Sequence, residues 1–241
     1  MIKRNLLIAI LILCSIGIIK GQTVSDSLAI MSARWKVESP QKGIIHKYAS
    51  IPRLYQGTQS VSLIEIEPGA GLKVDIAVSD EMKETSRIAS EHRGIAAING
   101  SYFDMKRGNS VCFLKVGNQV VDTTTLSECK LRVTGAMHVH KGKIKLIPWS
   151  RQIEKEYKGE TGIVLASGPL MLKDGQICDW NSCGTNFIRT KHPRSAVATT
   201  KEGKILLITV DGRFPEQAEG VNIPELAHLI RILGGEDALN L

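Results

Sequence analysis

The sequence lacks the motifs of several large enzyme classes. It contains no Gly-x-Ser-x-Gly, P-loop or His-Glu-x-x-His pattern, so the usual sequence signatures of α/β-hydrolases, P-loop nucleotide hydrolases and zinc metalloproteases are missing. No internal repeat is visible, which argues against a solenoid or a propeller. Aromatic residues make up only 5% of the chain, and no basic run is interleaved with them. We therefore expect no nucleic-acid partner.

The composition is that of an ordinary globular protein, with 43% hydrophobic and 23% charged residues. The formal net charge of the whole chain is +7, but part of it belongs to the N-terminus. The first 21 residues hold three basic residues and no acidic one, so the net charge of the remainder is only +4. This mild excess gives little support to a polyanionic partner.

The N-terminus has the form of a targeting signal. Lys3 and Arg4 precede a 14-residue apolar stretch, Leu6–Ile19, which is short for a membrane span. We expect residues 1–21 to be a signal peptide, and the protein to be exported to a periplasmic or extracellular location without stable membrane insertion. The alternative is an uncleaved N-terminal membrane anchor.

Export affects the interpretation of the cysteines. Four cysteines follow the predicted signal peptide: Cys112, Cys129, Cys178 and Cys183. An even number in an oxidising compartment allows two disulfides. The pairing Cys178–Cys183 with Cys112–Cys129 closes the shortest loops and is the one we favour. The alternatives are the other pairings, a zinc site or four free thiols.

The pattern of apolar residues divides the rest of the chain. Residues 22–59 have no strong period and are interpreted as an N-terminal leader or as an N-terminal strand around Tyr48, and residues 60–241 as the folded domain. Strict alternation over Leu72–Val78 predicts a half-buried strand. A helix is expected over about residues 80–92 with Ser79 as its N-cap, and a short buried strand over Ile95–Asn99.

Turn pairs and one helix pattern complete the expected fold. Hairpins are expected at Gly117-Asn118, Lys141-Gly142 and Asp174-Gly175. A helix is expected from the N-cap Asn222 to the stop at Gly234, with an apolar stripe on one face. The predicted fold class is α+β, a single strand-rich mixed domain with a few helices packed on the sheet. Ala238–Leu241 has the form of a buried strand at the end of the chain, so we expect the domain to be incomplete at its C-terminus.

Polar groups follow several of the short apolar strands. These segments are Asn99-Gly100, Ser167-Gly168, Asp211-Gly212-Arg213 and, within the last strand, Asn240. Loops at strand ends are where sites are commonly built. Each pair alone could be an ordinary turn, but the recurrence favours a functional site at one edge of the sheet.

The register of one hairpin brings further polar groups to the same place. If Thr200 pairs with Lys204, antiparallel pairing puts Arg194 opposite Val210. The residues then expected at the open end of the hairpin are His192, Arg194, Asp211 and Arg213. Arginine forks suit phosphate or carboxylate oxygens. The alternative is a surface salt bridge between the first arginine and the aspartate. His138 and His140 form a much weaker metal candidate, because no third ligand is in view.

Five sequence blocks occur in an order that resembles the phosphodiester glycosidase family. They are Ala96–Phe103, Ala166–Pro169, His192–Ala198, Thr209–Arg213 and Asp237–Leu241. The resemblance covers roughly residues 60–241. The family pattern continues after the last block with Asp-Gly-Gly-Gly-Ser, which this sequence does not contain, and the resemblance implies a catalytic role for the absent aspartate.

The resemblance implies hydrolysis of a sugar-1-phosphodiester of the N-acetylglucosamine type, giving a sugar and a phosphate monoester. The implied catalytic residues are Asp211, Arg194 and Arg213. The implied substrate-binding residues are Asn99, Gly100, Ser167, Gly168, His192 and Asn240. No metal or cofactor is expected. The rival interpretations are a non-catalytic glycan- or phosphate-binding protein and an enzyme of exopolysaccharide or cell-wall processing.

Overall fold

A computed structural model describes residues 23–79, 81–159 and 162–241. The predicted signal peptide lies outside these described residues. Within them, no helix has both the length and the apolar character needed to cross a membrane.

The described residues form six helices and thirteen strands. The helices are α1 (Val24–Met31), α2 (Thr85–Glu91), α3 (Leu126–Leu131), α4 (Arg151–Glu156), α5 (Thr185–Arg189) and α6 (Ile223–Ile232). The strands are β1 (Lys36–Gln41), β2 (Ile44–Leu54), β3 (Gly57–Ile66), β4 (Leu114–Val116), β5 (Gln119–Asp122), β6 (Gly135–His140), β7 (Lys143–Pro148), β8 (Ile163–Ser167), β9 (Leu170–Lys173), β10 (Gln176–Ile177), β11 (Arg194–Thr200), β12 (Ile205–Val210) and β13 (Gly235–Asn240).

The strands form two antiparallel sheets. The larger has eight strands in the order β1-β2-β3-β12-β11-β13-β9-β10, and the smaller has five in the order β5-β4-β8-β6-β7. Helices and antiparallel sheets in one fold confirm the predicted α+β class.

The core has two layers because the central strands alternate their side chains. On β11, Ala196 and Ala198 face a cluster that also contains the buried side of α6. Val197 lies between them and packs with Leu146 of β7 and Leu239 of β13. Successive side chains of a strand point to opposite faces. The eight-stranded sheet is therefore covered by helices on one face and by the five-stranded sheet on the other.

The three predicted hairpin turns and the predicted cap of the last helix are confirmed. The three predicted turn pairs join β4 to β5, β6 to β7 and β9 to β10. Helix α6 begins after Asn222, whose side chain accepts a hydrogen bond from the Glu225 backbone N–H in a capping box. Its apolar stripe is fully buried at Leu226, Leu229 and Ile230.

The segment interpreted as a leader forms part of the sheet. Residues 23–59 supply α1, β1, β2 and the start of β3, and β3 pairs with β12 along its length. The strand expected around Tyr48 is β2, whose two-residue period is broken by Ile45 and Tyr48 on half-buried and exposed positions and by the register shift between Ile51 and Leu54. Its buried members, including Ala49, Ile51 and Leu54, pack in the same cluster as α6.

Two predicted strands are not formed. Residues 72–78 and 95–99 have no strand pairing among the described residues, and Ile95 is exposed. Alternation shows that a segment could bury one face, but it does not supply a partner strand. The helix expected over residues 80–92 begins only at Thr85, because Ser79 bonds to Glu81 instead of capping a helix.

The favoured disulfides are not formed either, since all four cysteines of the described residues are free thiols. Cys183 belongs to the main hydrophobic cluster, whereas Cys178 packs against a different one. Cys112 is fully buried, and this burial raises the pKa of its thiol to about 11.

Shortening a side chain in the buried stripe of α6 tests whether this helix packs on the eight-stranded sheet. We expect Leu229→Ala to lower the free energy of unfolding by about 2–5 kcal/mol, because Leu229 is fully buried in the main cluster. The matched change Leu28→Ala on exposed α1 should cost within about 0.5 kcal/mol. Urea unfolding measures both, and equal losses would contradict this packing.

Candidate active site

Four strands meet with their polar ends at one edge of the two sheets, which we call the site edge. It is where β8, β12 and β13 end and where β11 begins. Arg194 pairs with Val210, as the predicted register requires, and Ala196 pairs with Asn240. The Asn240 amide donates to the Gly168 carbonyl at 3.0 Å, which ties the smaller sheet to the larger one.

Arg194 is the buried cation of the site edge. Its side chain reaches away from the hairpin and donates three hydrogen bonds to backbone carbonyls, those of Val221, Phe187 and Thr190, at 3.3, 2.9 and 3.2 Å. No carboxylate among the described residues forms an ion pair with it, and Nη1 has no acceptor there. Burial lowers the pKa of its guanidinium to about 10. The arrangement is electrostatically incomplete, and an anion at Nη1 would complete it.

Two aromatic rings connect Arg194 to a second arginine. The Arg194 guanidinium lies 4.6 Å from the centre of the Phe187 ring, and Phe187 packs edge-on against Tyr102. Arg132 stacks on the other ring, 3.5 Å from the centre of Tyr102. Unlike Arg194, Arg132 has a carboxylate partner, since it binds both Glu128 oxygens at 2.6 and 2.9 Å. These contacts hold the rings and both guanidinium groups in a fixed stack.

The ends of β8 and β13 form a polar layer beside this stack. The Tyr102 hydroxyl donates to the Gly168 carbonyl at 2.6 Å and accepts from the Asn240 amide at 2.7 Å. A side chain at Gly168 would place its Cβ 2.2 Å from the Arg132 carbonyl, so only glycine fits. Ser167 Oγ and Asn240 Oδ1 are buried without a hydrogen-bond partner among the described residues. The Asn240 oxygen can accept a hydrogen bond, and the Ser167 hydroxyl can accept or donate one. A polar ligand or a water molecule could supply these missing hydrogen bonds.

Asp211 lies at the same edge, on the solvent side of the hairpin. Its carboxylate accepts a 2.5 Å hydrogen bond from Ser60 Oγ, and its backbone N–H donates to the Ser60 carbonyl. Tyr48 Oη lies 3.3 Å from the same serine oxygen. The carboxylate is exposed but oriented, because Ser60 on β3 holds one of its oxygens. A carboxylate held in this way can accept a proton or stabilise positive charge.

His192 and Arg213 complete the open end of the hairpin. Gly212 passes so close to the chain before Arg194 that a Cβ there would lie 2.5 Å from the Pro193 nitrogen. Burial, and then the charges of Arg194 and Arg213, lower the pKa of the His192 imidazole. His192 is therefore neutral at neutral pH and sits in a positive electrostatic potential.

The structure brings together most of the predicted site residues, but not all. Asn99 and Gly100 are exposed, and among the described residues the Asn99 side chain donates only to the neighbouring carbonyl of Gly100. The alternative salt bridge between Arg194 and Asp211 is not formed, because the arginine side chain turns toward Phe187 and the aspartate toward Ser60.

Several residues of the site were missed by sequence reasoning. They are Ser60, Tyr102, Arg132 and Phe187. Tyr102 could have been predicted from the sequence, since it belongs to one of the five ordered blocks and is one of few aromatic residues. Arg132 and Ser60 could not, because their roles arise from contacts between distant elements. Among the described residues, no three His, Cys, Asp or Glu side chains lie close enough together to hold a metal ion.

The phosphodiester glycosidase family model matches residues 92–241, and the chain belongs to this family. The match includes the whole site edge, and Ser60 on β3 lies before it. A comparison with functionally curated proteins gives no match.

Solved structures support the fold. A hypothetical protein from Synechocystis is 14% identical with a TM-score of 0.61, over 86% of this chain and 58% of that one. The zebrafish N-acetylglucosamine-1-phosphodiester alpha-N-acetylglucosaminidase catalytic domain, auto-inhibited by its pro-peptide, is 17% identical with a TM-score of 0.58, over 86% of this chain and 74% of that one. The chain thus spans less than two thirds of the Synechocystis structure, and at these identities the likeness concerns the fold alone.

The environment of His192 can be tested by titration. We expect NMR to give its imidazole a pKa below 6.5, and Arg213→Gln to raise that pKa, because one of the nearby positive charges is removed. The matched change Arg34→Gln lies on the α1–β1 connection and should leave the titration unchanged. If Arg213→Gln changes the pKa of His192 no more than Arg34→Gln does, the charge of Arg213 does not act on His192.

Proposed function

We propose that this protein is an exported hydrolase that cleaves a glycosyl 1-phosphodiester of the N-acetylglucosamine type. The products are the free sugar and a phosphate monoester. Membership of the phosphodiester glycosidase family supports the reaction class, and the zebrafish protein of similar fold bears the name of such an activity. The basic and apolar N-terminal sequence supports export.

The observation that carries the proposal is the buried charge of Arg194. Its neighbour Arg132 is neutralised by Glu128, but Arg194 has only neutral carbonyl partners among the described residues. A phosphate group has the charge and the oxygen geometry for the free Nη1 side of the guanidinium. Arg213, exposed just after the end of β12 and close enough to His192 to act on its charge, is the second group we assign to the phosphate.

The reaction needs little help with its leaving group. Water adds its oxygen to the anomeric carbon, the bond from that carbon to the phosphate oxygen breaks, and the phosphate keeps the electron pair. The second pKa of a phosphate monoester is about 6, so the leaving group is stable as an anion. Stabilising its charge, the role of the two arginines, matters more than protonating it.

The other groups suit the sugar side of the bond. Asp211 is the carboxylate that would stabilise the oxocarbenium-like centre or accept the proton of water. Its contact with Ser60 fixes its direction. Ser167 Oγ and Asn240 Oδ1 are buried polar atoms of the site edge, which a bridging water would connect to sugar hydroxyls. Neutral His192 can accept a proton or donate a hydrogen bond beside the phosphate.

The role of Asp211 can be separated from phosphate binding. We expect Asp211→Asn to lower kcat for an N-acetylglucosamine 1-phosphodiester by about 100-fold or more, because an amide neither accepts the proton nor stabilises positive charge. Binding of inorganic phosphate should be kept, since the arginines are unchanged. The control Asp174→Asn changes an exposed aspartate of the β9–β10 turn and should leave kcat as it is. An unchanged kcat in Asp211→Asn would contradict the assignment.

A further inference from the structure

A basic row lies on the edge strand of the five-stranded sheet, outside the site edge. Between residues 129 and 153 the sequence contains six lysines and arginines and no acidic residue. Three of them, Lys141, Lys143 and Lys145, lie on β7 and the turn before it, and all three are exposed. None of the three forms an ion pair with a described carboxylate. We call these three residues the lysine row.

The lysine row points away from the core. On β7, Ile144 and Leu146 pack toward the eight-stranded sheet. Lys143 and Lys145 alternate with them and therefore occupy the opposite face of the strand. Both side chains are exposed on the face of β7 that is turned away from the core.

The row also leads toward the site edge. Gly135, at one end of β6, pairs both with Ser167 of the site edge and with Pro148 of β7. Lys145 and Lys143 lie three and five residues before Pro148, which corresponds to roughly 10 and 17 Å along the strand at about 3.3 Å per residue. The positive charges thus follow one another at increasing distance from the polar end of β8.

Lysines are often placed on edge strands to prevent aggregation. The other three edges of the two sheets carry fewer lysines. Strands β5 and β10 contain no lysine, and β1 with the turn after it holds two, Lys36 and Lys42, together with Glu38. The lysine row differs in holding three lysines and no acidic residue, and an anionic ligand would explain this concentration of charge.

We propose that the lysine row binds an anionic glycan polymer, a chain of sugars joined by phosphodiesters, and guides it to the site edge. The inference rests on the proposed function, because the polymer presents at each repeat the bond that the site would cleave. Each repeat carries one negative charge, so several lysines in a row can pair with successive phosphates. Attraction of this kind raises the local concentration of a charged substrate and weakens as salt increases.

The test compares two charge-matched triple variants. The first is Lys141→Glu, Lys143→Glu and Lys145→Glu, and the control is Lys36→Glu, Lys42→Glu and Lys201→Glu, which changes three exposed lysines elsewhere. Binding of a glycosyl-phosphate polymer of about ten repeats is measured at low and high salt. Hydrolysis of the polymer and of a single-repeat phosphodiester is measured in parallel.

We expect the lysine-row variant to bind the polymer about tenfold more weakly than wild type at low salt, and the control to differ little. The difference should disappear at about 1 M salt, where charges are screened within about 3 Å. Cleavage of the single-repeat substrate should be unchanged in both variants. Lysine-dependent polymer binding without any hydrolysis would support the row while refuting the proposed function.

Three results would overturn the inference. The first is an equal loss of polymer binding in both triple variants, which would reflect net charge alone. The second is equally tight wild-type binding of an uncharged polymer of the same sugars. The third is equally tight lysine-dependent binding of duplex DNA or of anionic lipid vesicles, which would make the row a general polyanion surface.

Discussion

The pairing of β11 with a strand on each side is the constraint on which the candidate site depends. Its register with β12 sets Arg194 against Val210, next to Asp211, and its register with β13 sets Ala196 against Asn240. A shift of one residue in either ladder would turn the alternating side chains to the opposite face. The two-sided core makes such a shift costly, because Val197 belongs to one cluster and its neighbours to the other.

The second consequence of this pairing is a buried positive charge. Arg194 is the first residue of β11, and its side chain is enclosed by Phe187 and by the carbonyl groups near α5 and α6. Taking a cation out of water is unfavourable unless its charge is compensated. Three carbonyl dipoles provide part of that compensation, and a bound phosphate would provide the rest. The fold thus positions a charge whose natural complement is the anionic group of the proposed substrate.

The parts of the fold that depend on local chemistry could be predicted from the sequence. Turn pairs such as Gly117-Asn118 and the Asn222 cap act within a few residues, and the register around Lys201–Gly203 follows from the length of that turn. The bounds and pairing of β2, beyond a strand around Tyr48, and the unpaired state of segment 72–78 could not be predicted, since strand formation depends on a partner far away in the sequence. For the same reason, the site residues that belong to sequence motifs could be predicted, whereas Ser60 and Arg132 could not.

Phosphate binding to Arg194 tests the central claim most directly. Calorimetry would compare the affinity for inorganic phosphate of wild type, Arg194→Met and Arg132→Met, with near-UV circular dichroism confirming that each variant is folded. We expect Arg194→Met to bind about ten- to a hundredfold more weakly, since a hydrogen bond to a charged group contributes about 1.5–3 kcal/mol. Arg132→Met should stay within a few-fold of wild type, because Glu128 already neutralises Arg132. Equal affinity of folded Arg194→Met and wild type would contradict the account.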